Sequence, residues 1–303
     1  MSSSSGNSAP FVARWAPTPG VKLDLSSTVP LADGNTMPLF GIGAWAMRGS
    51  ECHTALSLAL DQVGYRHIDT ARYYRNEKEV GAAVRGSKVP RKDIFVTTKL
   101  FTNDMGGGAR SRAALDDSLR QSGLDYFDLV LLHAPDGGKE FRLNTWQTLS
   151  EMAKEGKAKS LGISNFGEHH VRELMQSEPQ VVPVVNQIEC HPFFAQAGLR
   201  KACEDAGIIV QAYCPLARSR YYGDKTLSTI ASKVNKSEAQ VMLRWLIQSG
   251  VVPLPKSSNQ GRQEENAKSL DFELDSGDMQ KLNALDRGPS GAVESQTMSQ
   301  DAP

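Results

Sequence analysis

Eight short apolar runs, each followed by a stretch of helical period, constrain the fold of this 303-residue chain more than any other feature. The runs fall at 39–42, 65–68, 94–98, 129–132, 158–163, 184–187, 208–213 and 251–254. Helical patterns occupy 51–62, 77–84, 110–121, 142–154, 168–176, 199–205, 237–247 and 262–268. Strands that alternate with helices build βαβ units around a parallel sheet. Eight such units predict an α/β fold, a closed (β/α)8 TIM barrel. The competing architecture, a doubly wound open sheet, would carry a Gly-rich turn after its first strand. Gly41 and Gly43 supply only a GxG fragment, with no third glycine at the required spacing before the helix near Glu51. Asp33-Gly34 within residues 31–38 signals a small N-terminal β-hairpin, and 278–285 reads as an extra C-terminal helix.

One barrel domain is therefore expected over 26–288. Residues 1–25 are Ser-rich and then punctuated by Pro10, Pro17 and Pro19, without the apolar core of a signal peptide. That composition predicts a disordered tail. Residues 289–303 read as a second tail or a loop covering the pocket. The 34 basic residues balance 34 acidic ones, which argues against nucleic acid and anionic membrane surfaces as partners. No apolar run reaches the roughly 18 residues that span a bilayer. Cys52, Cys190, Cys203 and Cys214 match neither zinc spacing nor a disulfide framework. Reduced thiols in a cytoplasmic protein are expected, acting on a small molecule as a monomer with no obligate protein partner.

The chemistry collects at the ends of the runs. Asp69, Tyr74, Lys99 and His133 close or follow three successive strands. Polar groups there cost free energy unless paired or used, and in a parallel barrel those ends meet at the face where active sites sit. Later strands end at Ser164-Asn165, Asn186-Gln187, Tyr213 and Lys256-Ser257-Ser258. Hydroxyls and side-chain amides suit a neutral amide, and Tyr213 offers a face to a flat ring. Lys256, Ser257 and Arg262 near a helix N-terminus suit a phosphate. Together they suggest a nicotinamide dinucleotide and no metal.

Plainer readings compete residue by residue. Asp69 alone suits a turn or helix cap, Lys99 a lysine reaching for water, and His133 a satisfied core histidine. Trp45, Tyr73 and Phe101 read as walls of a substrate pocket or as core. His169-His170 reads as a surface pair, because adjacent helix positions point apart. His67 and His191 read as structural, and Arg72 and Arg75 as solvated. Lys256 and Arg262 also fit an ordinary surface charge pair.

Four segments carry a resemblance. GYRHIDTARYYRNEKEVG (64–81), LGISNF (161–166), NQIECHP (186–192) and PKSSNQGRQEEN (255–266) resemble, in order, the motifs of the aldo-keto reductase superfamily. The likeness runs over about residues 29–288. It implies hydride transfer from NADPH to an aldehyde or ketone, with Asp69, Tyr74, Lys99 and His133 as the catalytic set. Tyr74 would be the general acid, its phenol pKa lowered by Lys99, with Asp69 holding Lys99 and His133 orienting the carbonyl. The resemblance implies nicotinamide contacts from Ser164, Asn165, Gln187 and Tyr213, and further cofactor contacts from Leu216 and Ser258. Lys256, Ser257 and Arg262 would meet the 2′-phosphate, with Glu265 and Asn266 near the adenine. Two departures stand out. Cys214 replaces a common serine, and Ala134 stands where many members carry tryptophan, which predicts a roomier substrate pocket. Two other functions fit parts of this pattern: an NADPH-sensing subunit with vestigial activity, and a barrel hydrolase or isomerase. The last would need a carboxylate pair or metal centre, for which Asp69 is the only clear candidate.

Overall fold

The computed structural model describes residues 15–294 and 300–302. Strands β1 (Thr28–Pro30) and β2 (Thr36–Pro38) form the hairpin, paired antiparallel around Asp33-Gly34. The barrel follows as β3 (Ile42–Gly43), β4 (His67–Asp69), β5 (Phe95–Leu100), β6 (Phe127–Leu132) and β7 (Ala158–Ser164). It is completed by β8 (Val185–Glu189), β9 (Ile209–Tyr213) and β10 (Val251–Pro253). These eight strands lie side by side in chain order, every neighbouring pair parallel. The amides of Gly41 and Gly43 donate to the carbonyls of Pro253 and Pro255 at 3.2 and 3.1 Å, and Gly43 bridges Lys256. Those contacts join the first strand to the last, as the closed (β/α)8 fold requires.

β5 and β6 are buried at every position, as parallel strands covered by helices must be. Register then aligns their polar ends: Gly43 pairs with Asp69, Ser164 with Gln187, and Glu189 with Tyr213. The helices form the outer layer, and local chemistry starts several of them. Ser237 Oγ accepts from the Gln240 amide while Gln240 Oε1 accepts from the Ser237 amide, a reciprocal cap that opens the helix Glu238–Gln248.

Several expectations need correction. Helix Lys225–Val234 was not anticipated. Asp224 caps it by accepting from the amides of Thr226 and Leu227. Residues 15–25 do not belong to a loose tail: Leu23 is buried, and Trp15 and Leu25 pack on the core. Residues 1–14, the rest of the expected tail, lie outside the described residues. His169-His170 is a surface pair only by half, because His169 is exposed while His170 is not. Both imidazole Nε2 atoms donate to the Ala302 carbonyl, at 3.2 and 2.7 Å, and His170 is fully buried. The pair sits in the first turn of helix Glu168–Gln176, so one returning segment reaches both rings. Arg72 is not merely solvated, because it bridges Asp104 and Asp117 at 3.0 and 2.5 Å. His67 and His191 are buried, on Thr97 and Glu189 respectively.

The helices Glu77–Gly86 and Gly108–Ser122 approach closely at Gly81, where a Cβ would run into the main chain of Ser122. Neither backbone can yield without moving its helix. Gly81→Ala is expected to lower stability by roughly 1–3 kcal/mol, read as a reduced urea midpoint. An unchanged midpoint would mean that the contact relaxes freely.

Candidate active site

β4 and β5 deliver Asp69 and Lys99 side by side in the barrel interior. Lys99 is fully buried and Asp69 is 4% exposed. The ammonium donates to Asp69 Oδ1 at 2.6 Å, the Thr70 carbonyl at 3.0 Å and Tyr74 Oη at 3.3 Å. Three donors meet three acceptors, which is what a buried ammonium needs. The second Asp69 oxygen accepts from Gln187 Nε2 at 2.8 Å. Tyr74 ends a single 3₁₀ turn, Arg72–Tyr74. Buried Asn76 ties that turn down: its Oδ1 accepts from Thr70 Oγ1 at 2.6 Å, and its Nδ2 donates to the carbonyls of Ala44 and Met47. The same residue thereby anchors the loop that carries Trp45. His133 follows β6 with its ring centroid 5.8 Å from that of Tyr74. Its Nδ1 is sealed from solvent without a hydrogen-bond partner, leaving Nε2 as the ring nitrogen open to the cavity.

Burial dominates the electrostatics. It pushes the Tyr74 phenol well above its ordinary value, and the Asp69 charge pushes the same way. That direction is opposite to the lowering expected from Lys99, with desolvation as the largest cause. Burial lowers Lys99 from its usual range, against the opposing pull of Asp69. His133 is driven well below its usual value by burial and then by Lys99. At neutral pH the cluster thus presents a protonated phenol and a neutral imidazole to the same space.

That space is a cavity of about 850 Å³ at the C-terminal rim of the barrel. Asp69, Tyr74 and His133 line it, with Trp45, Tyr73 and Phe101 as an aromatic wall. Trp45 stacks on Tyr73 at 6.0 Å, and Tyr73 lies 4.7 Å from Phe101. Ser164, Asn165, Gln187, Tyr213 and Leu216 line the middle. Their polar atoms already form a network. Tyr213 Oη donates to Asn165 Oδ1 at 2.7 Å, Asn165 Nδ2 to the His133 carbonyl, and Ser164 Oγ to the Gln187 carbonyl. At the far end lie Lys256, Ser257, Arg262, Glu265 and Asn266. Asn259 caps the helix Gln260–Ala267 there by accepting from the Arg262 amide. Among the described residues neither Lys256 nor Arg262 forms an ion pair, and both are exposed. Two cations beside a helix N-terminus fit a phosphate group.

Two expected site residues are not brought in. Ala134 is buried, 1% exposed, and it and Ser258 are not among the described residues lining the cavity. Conversely, Cys214, Arg218 and Glu294 line the cavity without having been anticipated as site residues. Cys214, Ala217, Arg218 and Ser219 all have positive φ (46°, 46°, 51° and 62°), a strained conformation for residues other than Gly or Asn that clusters at functional loops. Glu294 lies in the 289–303 segment read as a tail or pocket-covering loop, but the segment has no periodic pattern that singles out this residue. All four cysteines are free, and no helix among the described residues is long and apolar enough to cross a membrane.

Comparison with known proteins agrees with this architecture. The model of the aldo/keto reductase family matches residues 37–287. The glyoxal reductase of Bacillus subtilis (strain 168) is 42% identical over 264 residues, 87% of this chain and 94% of that protein. Methylglyoxal reductase DkgA of Escherichia coli (strain K12) is 39% identical over 264 residues, 86% of this chain and 94% of that protein. The crystal structure of an aldo/keto reductase from Brucella melitensis superposes with a TM-score of 0.82 at 42% identity, covering 86% of this chain and 99% of that one. The chain belongs to the aldo/keto reductase family of oxidoreductases.

Proposed function

We propose that this protein reduces aldehydes or ketones to alcohols with NADPH, Tyr74 serving as the general acid. One observation carries the reading: a buried ammonium joins Asp69 to the phenol of Tyr74 on the wall of a cavity that Lys256 and Arg262 also line. Relatives that reduce glyoxal and methylglyoxal support a carbonyl substrate. The free thiols support a cytoplasmic protein.

NADPH would supply a hydride to the carbonyl carbon. The chain's own residues do the rest. The Ser164, Asn165 and Gln187 network is chemically matched to a carboxamide, and Tyr213 to one face of its ring. Lys256, Ser257 and Arg262 would hold the 2′-phosphate. Tyr74 Oη and His133 Nε2 would both donate to the carbonyl oxygen, where negative charge develops. The Tyr74 proton passes to that oxygen, and Lys99 stabilises the phenolate left behind, a contribution that exists only once the proton has moved. Asp69 keeps Lys99 charged and aimed. The raised phenol pKa suits this direction, because the acid must begin protonated.

Tyr74→Phe is expected to lower kcat by roughly 10²–10⁴ while NADPH still quenches the protein's fluorescence. Equal turnover by the variant would remove the acid role from Tyr74. Reductive kcat/KM should be flat from about pH 6 to about pH 8, since His133 is neutral throughout, and should fall at alkaline pH as Lys99 loses its charge. A limb near the ordinary histidine value would contradict the buried, neutral imidazole. Arg262→Ala should raise KM for NADPH about tenfold or more and leave KM for NADH much less changed. Equal losses with both cofactors would dissociate Arg262 from the extra phosphate.

A further inference from the structure

A glutamine of the barrel interior has no part in the chemistry above, yet it is bonded into the site. Gln211 lies on β9, fully buried, beside Gln187 of β8 in the parallel register. Gln187 lines the cavity, and Gln211 is not among the residues that do. Gln187 Nε2 donates to Asp69 Oδ2 at 2.8 Å and to Gln211 Oε1 at 2.9 Å. Gln211 Nε2 in turn donates to the sulfur of Met37, on hairpin strand β2, at 2.9 Å.

The orientation of both amides follows from the carboxylate. Asp69 is ion-paired to Lys99, and an ionised carboxylate only accepts. Gln187 must therefore turn its nitrogen toward Asp69. That nitrogen carries two protons, and the second points at Gln211. Gln211 has to answer with its oxygen, because two facing amide nitrogens would strand a buried proton. Its own nitrogen is left to the Met37 sulfur, a weak acceptor. Both Gln187 protons are thus spent within the barrel, on Asp69 and Gln211. Oε1 is the remaining polar atom of that side chain, and among the described residues no donor reaches it. Gln187 accordingly offers the cavity an acceptor and no donor.

We propose that Gln211 is a positioning residue: by taking the second Gln187 proton it keeps the acceptor end of Gln187 toward the cavity, so the site selects a dinucleotide whose ring bears an amide N–H. This rests on the cofactor reading above and deepens it. Gln211 acts only through Gln187. Removing its oxygen leaves a buried N–H without a partner, which is costly. The freed amide then gains by turning that proton toward the cavity, where a ligand oxygen or water takes it. Selection for a ligand N–H weakens in consequence.

Calorimetric titration tests this with NADP+ and its 3-acetylpyridine analogue, in which a methyl group replaces the amide nitrogen and the carbonyl is kept. The unaltered protein is expected to bind the analogue about tenfold or more weakly. Gln211→Leu is expected to shrink that ratio about threefold or more. Gln211→Glu keeps an oxygen facing Gln187 and is expected to retain the ratio. A merely structural role would weaken both dinucleotides together in Gln211→Leu and leave their ratio unchanged, which overturns the inference. A ratio lost equally in Gln211→Glu overturns it too. So does a ratio near one in the unaltered protein, a result that requires no variant to fold. If the unaltered protein binds neither dinucleotide, the cofactor reading itself has failed and the inference falls with it. The expected ratios without reduction of any aldehyde by NADPH would sink carbonyl reduction and leave this inference standing.

Discussion

A lysine ammonium sealed from water can survive only if every proton finds an acceptor, and the geometry around Lys99 follows from that requirement. Leaving such a charge short of one acceptor costs several kcal/mol. Asp69 and the Thr70 carbonyl take two protons, and the third points at the Tyr74 oxygen. The phenol is therefore where it is partly because the lysine needs it there. Stability and chemistry draw on the same contact, and any change at Asp69 would disturb the acid through the cation between them.

The barrel makes this arrangement possible by register. Residues far apart in sequence reach one rim because parallel strands end together. Along the cavity the character changes from a dry reacting end, where desolvation sets the protonation states, to a wet end where Lys256 and Arg262 are exposed. A long ligand with a neutral head and an anionic tail matches that gradient. Specificity for its two ends is thereby separated in space, so each can vary without rebuilding the other.

Much of this was legible in the residues. The eight-fold alternation gave the barrel, and polar residues at the ends of apolar runs marked Asp69, Lys99 and His133. What escaped notice lacks periodicity or depends on long-range contact. Of the first run, at 39–42, only Ile42 enters the barrel strand Ile42–Gly43, because the Leu39 amide is spent on Ser27 beside the hairpin. Asn76 looks like an ordinary turn residue until its bonds to Ala44 and Met47 are seen. Glu189 lies inside a recognisable motif, yet its work is to receive amides more than 100 residues away. The pKa of Tyr74 was misjudged because a pairwise rule about neighbouring charge ignored desolvation, which here is larger.

The weakest seam of the sheet lies between its first and last strands, where a two-residue β3 meets β10 through glycine amides and a single bridge. Gly43, Trp45 and Ala46 stand on one side of that seam, and residues 254–257 on the other, and both sets face the cavity. A ligand long enough to touch both lips would act as a clasp across the opening. Occupancy should then be felt throughout the cylinder as protection of slowly exchanging amides, through ordinary mass action, so that the loaded protein is mechanically a different object from the empty one.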